Sequence, residues 1–102
     1  MTPPGSRKPD PKQRQDAATA LAISALSFIA SEPERLGRFL ALSGIGPESI
    51  RSAAREPGFL LGVLEHLTGD EALLLAFANQ NDIDPEQIAL ARDVLAGAQP
   101  EV

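Results

Sequence analysis

The stretch PGFLLGVLEHLTGDEALLLAFA, Pro57 to Ala78, decides the fold, because it sets two short apolar helices on either side of the turn signal Thr68-Gly69-Asp70. In the first of these, Phe59, Leu60, Val63, Leu64 and Leu67 recur at the i, i+3, i+4 spacing of one buried face. In the second, Ala72 to Ala78 are apolar without interruption, which leaves almost no polar face. The second helix therefore reads as the central element of the fold, with more apolar surface than one core contact requires.

Working outward, Asp84-Pro85-Glu86-Gln87 caps a further helix that carries Ile88, Ala91, Val94 and Leu95 to Gly97. Upstream, Asp16 can cap a helix from about Gln15 to Ala30 that buries Leu21, Ala22, Ala25, Leu26 and Ile29. Ser31-Glu32-Pro33-Glu34 reads as a capping box for the next helix, which buries Leu36, Phe39 and Leu40 and stops at Ser43-Gly44. Ile45 plugs the corner, Gly46 caps, and Pro47 starts a short helix that buries Ile50 and Ala54 before Glu56-Pro57 ends it. The expected fold is all-α, six short helices in a single domain over residues 15 to 97.

The chain also aligns with itself at an offset of 38: Leu26 falls on Leu64, Leu36 on Leu74, Phe39 on Phe77, Ile45 on Ile83, Pro47 on Pro85 and Ile50 on Ile88. This predicts two tandem three-helix units, about 19 to 56 and 57 to 94, related by duplication. The alternative is a coincidence of two similar helix starts.

A chain of 102 residues without cysteine has no disulfide, thiolate metal site or thiol nucleophile, so its stability must come from packing. A reducing compartment is the simplest home. The first residues have no apolar leader segment, and no later run reaches the roughly 18 apolar residues of a membrane span. The expectation is a cytoplasmic protein with no membrane association. The net charge of -5 is unevenly spread. Arg7, Lys8, Lys12 and Arg14 against Asp10 make residues 1 to 14 a basic, Pro-rich arm, expected to be disordered, whereas residues 57 to 102 set Arg92 against eight acids. Residues 98 to 102 read as a frayed tail.

No constellation marks an enzyme, and no cofactor or metal site is expected. His66 is the only imidazole, and Asn79 to Leu90 fails as a calcium loop because its sixth position is not Gly and its twelfth is not Glu. Leu42-Ser43-Gly44-Ile45-Gly46-Pro47-Glu48 resembles the hairpin of helix-hairpin-helix DNA-binding proteins, in which amides meet a phosphate. Against that reading stand Glu48, the acidic counterpart Asp82-Ile83-Asp84 and the acidic body, since duplex affinity needs phosphate neutralisation. Arg35, Arg38, Arg51 and Arg55 form either a solvated face paired with Glu32, Glu34, Glu48 and Glu56 or a docking site for an acidic partner. Phe28 lies off the expected core face, and with Leu73 and Leu75 it completes the candidate interaction surface.

The runs ERLGRFLALSG (Glu34 to Gly44), PGFL (Pro57 to Leu60) and DEALL (Asp70 to Leu74) resemble, across about residues 16 to 96, a family of small bacterial helical proteins catalogued as a domain of unknown function. The resemblance implies a bacterial cytosolic protein and carries no activity, substrate or catalytic residue. The function expected is a small non-enzymatic protein-interaction or adaptor module with a protein partner or a second copy of itself. The alternative is a nucleic-acid-associated protein using the Gly44-Ile45-Gly46 corner and the basic arm.

Overall fold

The structure, a computed structural model, describes residues 11–56 and 58–97. The chain is all-α: six helices, with no strand among the described residues. They are α1 (Pro11–Ala30), α2 (Pro33–Ser43), α3 (Ile50–Ala53, entered through a 3-10 turn at Pro47–Ser49), α4 (Phe59–Thr68), α5 (Glu71–Asn81) and α6 (Pro85–Gly97).

Helix α1 begins four residues earlier than its apolar pattern suggests. Pro11 is suited to the first helical position, where its missing N–H would be unpaired anyway, and Lys12, Gln13, Arg14 and Gln15 are all good helix formers. Lys12 and Arg14, expected in a disordered arm, thus stand on the first turns of a helix. The remainder of that arm and the tail from residue 98 lie outside the described residues. On α1, Ala18, Ala22, Ala25 and Ile29 are buried at spacings of three and four, a stripe mostly of methyl groups that lets neighbouring helices approach closely.

The expected capping box at Ser31 does not form. Pro33 takes the first helical position of α2, which makes Glu32 the cap, and the residue before a proline is held extended (φ -125°, ψ 125°). Ser31 lies one residue too far out, and its Oγ instead donates to the Phe28 carbonyl at 2.7 Å. Helix α2 closes on Gly44 at φ 76°, after which the Ile45 amide donates to the Leu40 carbonyl at 3.1 Å. Helix α5 closes in the same way, with Asp82 at φ 53° and the Ile83 amide on the Ala78 carbonyl at 2.9 Å. Asp70 caps α5 through Leu73 N–H, and at α6 the Asp84 amide donates to Gln87 Oε1 while Glu86 N–H donates to Asp84 Oδ1.

The backbone bonds flanking α2 recur 38 residues later around α5: Leu36 to Glu32 matches Leu74 to Asp70, and Ser49 to Gly46 matches Gln87 to Asp84. The third elements differ. Helix α3 is a single turn on which Ile50 and Ala53 are half-buried and Ala54, expected inside, is exposed, whereas α6 runs for 13 residues.

The centre of the molecule is formed by α1, α4 and α6, each packed against the other two, while α2 lies on α1 and α5 lies mainly on α4. The expectation that α5 is central is corrected here. Its apolar run wraps the whole helix, so that Phe77 and Ala78 are buried, Leu73, Leu74 and Ala76 pack half-buried against the core, and Leu75 is left 43% exposed. Phe28 is also corrected: it is 4% exposed, with its ring 5.4 Å from that of Phe77. Phe39 meets Phe59 edge-on at 6.1 Å, so all four phenylalanines are core residues.

Candidate interaction surface

On α1, residues Arg14, Ala17, Ala18 and Leu21 stand at i, i+3, i+4 and i+7, a stripe that shares buried Ala18 with the core stripe. Helix α6 repeats the pattern with Gln87, Leu90, Ala91 and Val94. Pro11 and Gly97 lie at one end and Leu21 and Gln87 at the other, so the helices run antiparallel and enclose a groove of about 260 Å³ between them. It is lined by the small side chains of buried Ala18 and Ala91 and exposed Ala17, and by Leu21, Leu90 and Val94. Leu90 is 63% exposed, far more than a leucine held by the core. Arg14 stands on the α1 side of the open end and Asp93 on the α6 side. No ion pair joins them: Asp93 accepts from its own neighbour Arg92 at 3.1 Å.

The residues expected to form a surface do not gather into one. Phe28 is inside, and the Arg35 guanidinium stacks over its ring at 4.2 Å while Nε reaches Glu32 at 3.2 Å, so Arg35 closes the core from above. Leu73 is half-buried and Leu75 is exposed on α5. Arg38 is exposed and lines a different groove, with Leu42, Glu65, His66, Asp70 and Glu71. Arg51 and Arg55 are exposed on α3 and the turn after it. Of these four arginines, Arg35 alone forms an ion pair among the described residues. Leu90 was absent from the expected surface, although its position two residues after buried Ile88 and one before Ala91 takes it off the core stripe, which is the signal that could have found it.

His66 is half-buried with its ring 5.1 Å from Phe39, and burial holds its pKa below the ordinary 6.5; Asp70 opposes the shift and Arg38 adds to it. Among the described residues no group of three or more His, Cys, Asp and Glu is placed to hold a metal ion. None of the described helices is long and apolar enough to cross a membrane. At the Gly44–Gly46 corner, a Cβ built on Gly46 would lie 2.8 Å from Glu48 Oε1. The Glu48 carboxylate is thus folded over the start of the 3-10 turn, where a phosphate would approach.

These features define a small all-helical protein with an apolar two-helix groove. Residues 15–98 match the family described as "Protein of unknown function (DUF3572)", and the chain belongs to that family. No curated protein and no solved structure matches it.

Proposed function

We propose that the protein is a non-enzymatic protein-interaction module of the bacterial cytoplasm that binds its partner in the groove between α1 and α6. The observation that carries this reading is Leu90, a large apolar side chain left 63% exposed on the wall of an apolar groove flanked by two helices. Grooves of this kind take the apolar face of an amphipathic helix. The two flanking stripes supply the walls, and Arg14 and Asp93 supply charges of opposite sign at one end to fix direction. The test is affinity capture from lysate with the wild-type chain and with Leu90→Arg. A partner retained by the first and lost by the second supports the reading, and identical capture profiles would remove it.

The competing reading, nucleic-acid binding through the Gly44-Ile45-Gly46 corner and the basic N-terminal segment, has Glu48 against it, since a carboxylate over the corner repels phosphate. Tight duplex binding at about 50 mM salt, lost when Gly44 and Gly46 are changed to Ala, would favour it instead. The proposal also includes duplication at an offset of 38, supported by the recurring backbone bonds around α2 and α5. On that view α6 kept a full helix and α3 did not.

A further inference from the structure

We infer that the occupant of the α1–α6 groove is a second copy of this chain, seated so that α1 of each copy lies across α6 of the other; this rests on the reading of the groove as the binding surface. The surface is complementary to itself. It offers a projecting side chain, Leu90, and beside it a groove lined on α1 by exposed Ala17, buried Ala18 and half-buried Leu21, so each copy can place its Leu90 against the small α1 residues of the other. The charges choose between the two ways a twofold axis can lie in such an interface. An axis parallel to the helices keeps the ends of the groove and exchanges its sides, which brings Arg14 to Asp93 of the other copy, twice. An axis perpendicular to the helices lays α1 on α1 and reverses the ends, which separates Arg14 from Asp93.

The same logic extends along the helices. Lys12 and Arg14 make the start of α1 basic, while α6 carries Glu86 and Asp93 against the single Arg92. Arg92 Nη1 donates to Thr68 on α4, and its Nε and Nη2 donate to one oxygen of Asp93, leaving the other carboxylate oxygen of this exposed residue for a partner. A basic α1 across an acidic α6 also offsets the repulsion between two chains of net charge -5. The face is small. Thirteen residues of α6 span about 20 Å, and two helices are about 20 Å wide, so the pair buries on the order of 1,000 Å² in total. That lies at the low end of the area range for specific interfaces.

The experiment is sedimentation velocity of the full chain from about 5 to 500 μM, which reads free energies of association down to about 4.5 kcal/mol. The wild type is expected to rise from monomer towards dimer. Leu90→Arg is expected to stay monomeric, and Arg14→Asp and Asp93→Arg are each expected to weaken association about tenfold or more, because each creates two like-charge contacts. An equimolar mixture of Arg14→Asp and Asp93→Arg should associate again, since the heterodimer regains both opposite-charge contacts. All three positions are exposed, and circular dichroism checks that each variant keeps its helices. A wild type that is monomeric throughout overturns the inference, as does association unchanged by the charge variants or a mixture that fails to recover. If the chain is monomeric but capture still requires Leu90, the groove reading stands and the second copy is removed.

Discussion

Helix α5 ends on an aspartate in a backbone conformation that suits glycine, and replacing it should stabilise the protein. Asp82 sits at φ 53°, ψ 48°, while the equivalent stop of α2 is Gly44 at φ 76°. A non-glycine residue in the left-handed region costs about 1 to 2 kcal/mol, with Asp at the low end because its short side chain is tolerated there. Glycine gives back part of that gain through the larger entropy of its unfolded state, about 0.5 to 1 kcal/mol. The substitution also removes a negative charge from the carbonyl end of α5, which acts in the same direction. The net expectation for Asp82→Gly is a gain of about 0.5 to 1 kcal/mol, or roughly 2 to 8 °C in Tm for a domain of this size. The reciprocal Gly44→Asp should lose about as much. Thermal and urea unfolding followed by circular dichroism reads both. A destabilised Asp82→Gly would refute the reasoning, because it would mean that the aspartate side chain, not its backbone, holds the end of α5.

Phe28→Ala should cost about 3 to 5 kcal/mol, since its ring is buried against Phe77 and roofed by Arg35, whereas Leu75→Ala on the exposed side of α5 should cost less than about 1 kcal/mol. Urea midpoints separate the two, and equal losses would contradict the burial of α5 described above. His66 should make stability depend on pH. The unfolded chain binds a proton near 6.5 and the native state only at lower pH, so the contribution is complete above 6.5, is lost as pH falls from 6.5 through the native value, and then levels off. His66→Gln should flatten that part of the stability curve, which unfolding measured between pH 5 and pH 8 would show.

Much of the fold was legible because its elements are short and strongly punctuated. The glycine after Ser43, the aspartate before Glu71 and the Asp84-Pro85 start each carry a local physical meaning that survives any tertiary context. What was not legible depended on neighbours distant in sequence. The start of α1 is hidden from an apolar pattern because Lys12 to Gln15 favour helix without being apolar. The composition of α5 points to a central helix, yet which of its sides faces the core depends on where α4 and α6 lie. Phe28 seemed spare on α1 alone, since the partners that fill its surroundings, Phe77 and Arg35, come from α5 and α2. The groove is hidden in the sequence for the same reason. Its two stripes lie on helices separated by most of the chain, and neither is distinguishable from core until they are laid side by side.

At 10.8 kDa the chain suits amide-resolved NMR, and a concentration series of backbone spectra tests the central claim most directly. If the α1–α6 groove is the interaction surface and a second copy fills it, dilution should move the amides of residues 14 to 21 and 87 to 94 together, along one curve with a single midpoint. Those of α5 around Leu75, and the Gly44–Gly46 corner, should stay in place. Shifts centred on Leu75 or on the corner, with the groove amides unmoved, would contradict the account.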